Sequence, residues 1–157
     1  LVSHDLDQML AEARIAADII KSGLVLKLVP TENGFRFVAR HGNEFPCCIT
    51  AIFDPSQALI AREAGARFIA VYVNRATKQM GDGITLVRKL ATVLSGSTTQ
   101  IVAASLKSTA EAIDALNAGA QHITVPFYLL GNLWSHPLSA QTIDQFNAEG
   151  VGIQVKA

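Results

Sequence analysis

"AGARFIAV", residues 64–71, and its near copy "AGAQHITV", residues 118–125, carry the same three signals in the same order. The last turn of a helix is followed by a glycine that ends it and then by a short apolar strand. A recurring helix, glycine, strand unit is the building block of a parallel α/β protein. Working outward, "LVLKLV" (24–29), "CCITAIF" (47–53), "QIVAAS" (100–105) and "HITVPF" (122–127) also read as short buried strands, with the third strand in "RFIAVYV" (67–73). Helical spacing runs through "DLDQMLAEARIAADIIK", "PSQALIAREAG", "GITLVRKLATVL", "STAEAIDALNAG" and "SAQTIDQFNAEG". Punctuation agrees with this alternation. Asp54 before Pro55 is a cap followed by a first-turn proline, Ser108 with Glu111 spells a capping box, and Gly23, Gly65 and Gly119 stand where helices end.

Five strands are expected, beginning near residues 24, 47, 68, 100 and 122, with a longer insert between the third and fourth. A closed (β/α)8 barrel needs eight strands and typically about 250 residues. The 157 residues therefore describe either an open, doubly wound sheet or part of a barrel, in one domain.

Composition narrows the function classes. Thirteen basic residues balance thirteen acidic ones, which gives no electrostatic reason to bind nucleic acid or an anionic membrane. No apolar run approaches the ~20 residues of a membrane span, and no basic-then-apolar signal pattern opens the chain. A soluble, intracellular protein working on a small molecule is expected, with a cytoplasmic location. Cys47 and Cys48 are adjacent, a spacing that disfavours a disulfide and matches no metal site, so both are expected as reduced core thiols. His4, His41, His122 and His136 show no paired spacing and are expected in structural roles.

Lys27 stands inside the apolar stretch "SGLVLKLVPTENG", residues 22–34. Strand alternation puts it on one face with Val25 and Val29, and Leu24, Leu26 and Leu28 on the other, toward helices. The same parity groups Thr50 with Cys48 and Ile52, Tyr72 with Ala70 and Phe68, and Ser105 with Ala103 and Ile101. Polar groups thus recur near the C-terminal ends of successive strands, where α/β proteins place their active sites. A desolvated lysine amine is a nucleophile toward carbonyls and forms Schiff bases. The alternative for Lys27 is a packed stem whose head pairs with a carboxylate such as Glu32. "NRATKQMGDG" after Tyr72, with Arg75 and its glycines, and "ASLK", with Ser105 and Lys107 before a helix that begins near Thr109, can hold an anion such as phosphate. The alternative there is a solvated loop ending in a glycine.

Together "LVLKLVPTENG", "CITAIFDPSQALIAREAGARFIAVYVNR", "GDG", "IVAASLKS", "AGAQHITVPF" and "HPLS" resemble the transaldolase family, and more narrowly its fructose-6-phosphate aldolase branch. The likeness runs from about residue 10 to residue 147. It implies a class I (β/α)8 barrel that acts on phosphorylated sugars with no cofactor or metal, and a homo-oligomer. The chain would supply family strands four to eight. Residue by residue, it implies that Lys27 is the Schiff-base lysine, that Thr50 helps to hold a catalytic water, and that Tyr72 takes part in proton transfer. Transaldolases proper usually have phenylalanine at the Tyr72 position, so Tyr72 favours the aldolase branch. Arg75 and Ser105 match positions that bind the substrate phosphate, and Lys107 falls where the family often has a basic residue.

Two features depart from the pattern. Val29 precedes Pro30 directly before Thr31, where the family places its proline one residue earlier. The first three family strands, which bear an aspartate, an asparagine and a glutamine or glutamate, have no counterpart in these residues. Two functions therefore compete: a Schiff-base aldolase or transaldolase, and a non-catalytic partial barrel that binds a phosphorylated ligand or serves in oligomerisation.

Overall fold

A computed structural model of the protein describes residues 1–3 and 5–150; His4 and residues 151–157 lie outside the described residues. The five strands are β1 (Leu26–Leu28), β2 (Cys47–Ile52), β3 (Phe68–Tyr72), β4 (Gln100–Ala104) and β5 (His122–Ile123). They form one sheet in the order β1-β2-β3-β4-β5, and every pair is parallel. A doubly wound sheet reverses its strand order at a switch point. Here each strand pairs with the next one in the chain, which is the wall of a (β/α) barrel, and the open alternative is excluded.

The connecting helices are α1 (Leu6–Ile20), α2 (Glu32–His41), α3 (Pro55–Glu63), α4 (Val73–Met80), α5 (Gly83–Val93) and α6 (Thr109–Asn117). Their starts follow from local chemistry. Asp5 and Thr31 accept backbone N–H groups of α1 and α2, and Asp54 and Gln57 form a full reciprocal capping box on α3. Gly65 and Gly119 end their helices at φ +88° and +108°, which only glycine adopts without strain. The chain divides into two compact units, Leu1–Val125 and the segment from Pro126 onward. The second contains α7 (Phe127–Leu130), a 3-10 turn and α8 (Pro137–Glu149), which His136 caps through Nδ1.

Helix-facing strand residues make the core. Leu28, Ile49, Ile69 and Ile101 lie side by side across four strands, each at most 1% exposed. Ala58, Ala61, Ala112 and Ala115 meet this layer, and their small size lets the helices approach closely.

Three features differ from the sequence reading. Helix α2 is absent from the helices read there, yet Thr31 caps a helix whose Phe37 and Val38 are buried. Gly34 is needed there, since a Cβ would lie 2.2 Å from the Val29 carbonyl oxygen. The stretch from Asn74 is not a loop but α4, which starts directly at the end of β3. Finally, Ile52 does not share a face with Thr50. Between Ile49↔Ile69 and Ile52↔Val71, three steps along β2 match two along β3, a β-bulge centred on Ala51 at φ +57°. The extra residue turns Ile52 into the core, where it is 0% exposed.

Candidate active site

The face of the sheet opposite the core carries Lys27, flanked by Val25 and Val29, which are 40% and 42% exposed. Lys27 itself is exposed, not buried as its apolar flanks imply, because Leu26 and Leu28 take the core positions and Lys27 points to the opposite face. Nor is it paired with Glu32, which forms an ion pair with Arg36 at 2.7 Å. Among the described residues no carboxylate lies within ion-pair distance of the Lys27 amine. Its neighbours are Cys48, directly across in register, and the ring of Tyr72, whose centroid is 6.0 Å from Nζ.

Tyr72 is the hub. The Thr50 hydroxyl donates to its hydroxyl at 3.0 Å, leaving the phenolic proton free for another partner. The Arg75 guanidinium lies 4.8 Å from its ring centroid, and Phe53 meets it edge-on at 6.1 Å. Thr50 is only 7% exposed although its face is open. Phe53 reaches this cluster because of the bulge. Without the extra residue, alternation would send Phe53 toward the helices, and for that reason the sequence does not announce it. Arg75 sits in the first turn of α4, where unpaired N–H groups and the helix dipole favour anions.

The structure thus brings together Lys27, Thr50, Tyr72 and Arg75. Ser105 lies one strand over, one residue past Ala104, which pairs with Tyr72. Ile101 and Ala103, grouped with Ser105 by parity, face the core and not the polar side, so strand alternation does not bring Ser105 to Tyr72. Ser105 adopts φ +62°, a left-handed conformation that is strained for serine. Lys107 is two residues further on, with an exposed side chain that makes no hydrogen bond or ion pair among the described residues. Its backbone N–H instead donates to Glu111. Cys47 and Cys48 are free thiols; Cys47 lies in the core as expected, whereas Cys48 is only partly buried, beside Lys27 on the open face. Burial pushes Cys48 up to about 11, with the Lys27 charge pulling the other way, and pushes the deeper Cys47 up to about 12. His122 opens β5, packs on Phe68 and bonds Gln100, while His41 stacks on Phe37, so both are structural. No group of three or more His, Cys, Asp or Glu able to hold a metal occurs among the described residues. No helix among them is long and apolar enough to cross a membrane.

The model of the family described as transaldolase/fructose-6-phosphate aldolase matches residues 1–156. The chain belongs to that family. A probable transaldolase from Hydrogenobaculum sp. is 36% identical over 148 residues, spanning 92% of this chain and 68% of the relative. One from Symbiobacterium thermophilum is 35% identical over 149 residues, spanning 93% and 68%. Among solved structures, mandelate oxidase with benzoyl-formic acid superposes with a TM-score of 0.61 at 18% identity over 78% of this chain. That likeness concerns the fold alone, and this chain spans 46% of that one. Membership of the transaldolase family accounts for the parallel, singly wound sheet.

Proposed function

We propose that the protein is a Schiff-base aldolase or transaldolase of the fructose-6-phosphate aldolase type, which makes or breaks the C3–C4 bond of a ketose phosphate such as fructose 6-phosphate. The observation that carries this is the grouping of an unpaired lysine amine, a hydrogen-bonded threonine–tyrosine pair and an arginine within one strand-end cluster. We take the described sheet as strands four to eight of the barrel, with three further βα units ahead of it.

In the reaction, Nζ of Lys27, once it has given up its proton, attacks the ketone carbon, and loss of water leaves an iminium. A base takes the C4 hydroxyl proton, the C3–C4 electron pair moves into the iminium to give an enamine, and the aldehyde departs. Tyr72, with a water held against Thr50, is that base. Protonation at C3 and hydrolysis complete a cleavage, whereas attack of the enamine on a second aldehyde completes a transfer. Arg75, Ser105 and Lys107 hold the phosphate, which fixes the substrate relative to Lys27.

The test is borohydride reduction of the protein with fructose 6-phosphate or dihydroxyacetone, followed by intact mass and peptide mapping. A reduced adduct on Lys27, absent from Lys27→Met, is expected. If no adduct forms on the full-length protein, the chain is a phosphate-binding or assembly module instead.

A further inference from the structure

Glu111 departs from the capping box its sequence spells. Half of the box is present, since Ser108 Oγ accepts the Glu111 N–H at 3.1 Å. In the other half, the carboxylate should accept the N–H of Ser108. Instead one oxygen reaches past it to the N–H of Lys107 at 2.7 Å, and the other accepts from Asn74 Nδ2 at 3.2 Å. Asn74 is 37 residues away, in the first turn of α4 and adjacent to Arg75. One side chain therefore ties the β3–α4 junction to the β4–α6 connection. Each anchor lies next to a group assigned above to phosphate: Arg75 follows Asn74, and Ser105 precedes Lys107 by two residues with fully buried Leu106 between them. The strained backbone of Ser105 needs such a restraint, because a left-handed serine persists only where its surroundings hold it.

We infer that Glu111 is a positioning residue: by clamping Asn74 and the Lys107 backbone it sets the separation of Arg75 and Ser105, and so the preference for a phosphorylated ketose over the same chemistry without phosphate. This rests on the phosphate assignment made above. Both carboxylate oxygens are engaged by donors, so the role is geometric. A glutamine can fill it as well, with Oε1 accepting from Lys107 and Nε2 donating to Asn74 once the Asn74 amide is turned over.

The experiment measures half-saturation of borohydride trapping on the full-length protein, for fructose 6-phosphate and for phosphate-free dihydroxyacetone. Calorimetry with inorganic phosphate, which needs no lysine chemistry, runs in parallel. Glu111→Ala is expected to raise half-saturation for fructose 6-phosphate about tenfold, the scale of one lost well-placed interaction, and that for dihydroxyacetone less than twofold. Glu111→Gln should remain within about twofold for both. Asn74→Asp sets two carboxylates face to face and should match Glu111→Ala, while Asn74→Asp with Glu111→Gln restores one donor to each acceptor and should recover. This rescue carries the test if Glu111→Ala folds poorly. Arg75→Ala provides the reference. If it abolishes the phosphate preference and weakens inorganic phosphate while the Glu111 and Asn74 variants do not, the positioning role is overturned alone. Equal weakening of both ketones by Glu111→Ala, or failure of the double variant to recover, also overturns it. If Arg75→Ala leaves phosphate binding intact, the phosphate assignment fails and takes the inference with it.

Discussion

The two faces of the sheet are made by alternate residues of the same strands, yet they do opposite work. Toward the helices, Leu28, Ile49, Ile69 and Ile101 form an unbroken apolar row. One residue back in register, Lys27, Cys48, Phe68 and Gln100 form a row on the other face that is mixed and only partly covered. Stability is concentrated on the first face and the proposed chemistry on the second, so substitutions should separate the two. Lys27→Met removes the amine proposed as the nucleophile from a side chain that is already exposed. Activity should fall by on the order of 10⁴-fold or more, while the unfolding free energy from urea denaturation stays within about 0.5 kcal/mol of the parent, as for an ordinary surface change. A large loss of stability in this variant would break the division.

Ile69→Ala is the converse. The side chain is 0% exposed and flanked in register by Ile49 and Ile101. Truncation should cost about 2–5 kcal/mol of unfolding free energy by urea denaturation, with kcat/KM of the remaining folded protein close to the parent. Smaller again is Tyr72→Phe. It keeps the ring that packs against Phe53 and Arg75 and deletes only the hydroxyl that Thr50 donates to. A loss of roughly 10²-fold in kcat is expected, at the low end of what a positioned acid–base group contributes, with little change in the KM of the phosphorylated substrate. A change in KM alone would place Tyr72 in binding and not in proton transfer.

How legible each face was in the sequence follows from the same alternation. Period-two patterning placed the strands and put Lys27 and Tyr72 on the chemical face. Glycines 65 and 119 marked the helix ends because their backbone angle admits little else. Residues set by irregularity stayed hidden. One extra residue at Ala51 reverses the parity of everything beyond it, which sends Ile52 into the core and Phe53 to Tyr72, and no local residue type signals that insertion. Strand pairing order was hidden from the local pattern, because an open sheet and a barrel use the same βα units and differ only in which neighbour each strand meets; the family resemblance alone pointed to the barrel. Glu111 was read as a local cap since its partner across the fold, Asn74, is 37 residues distant.

The adjacent cysteines place one thiol on each face and give the mildest test of the comparison. Burial raises Cys47 to about 12 and Cys48 to about 11, whereas an unfolded cysteine titrates near ~8.5. Above that pH the unfolded chain releases protons that the folded chain retains, so the unfolded state binds fewer protons and stability falls as pH rises. The decline should begin near pH ~8.5, run at no more than about 1.4 kcal/mol per pH unit per thiol, and be shallower for partly exposed Cys48, where solvent screens the effect. Urea midpoints between pH 8 and 10.5, compared with a Cys47→Ala/Cys48→Ala variant, measure it. Alkylation then separates the faces. Only Cys48 feels the Lys27 charge, which favours its thiolate, so Lys27→Met should slow iodoacetamide labelling of Cys48 and leave the already slow labelling of Cys47 unchanged. If both thiols slowed together, the Lys27 amine would be acting through the fold and not across one face of the sheet.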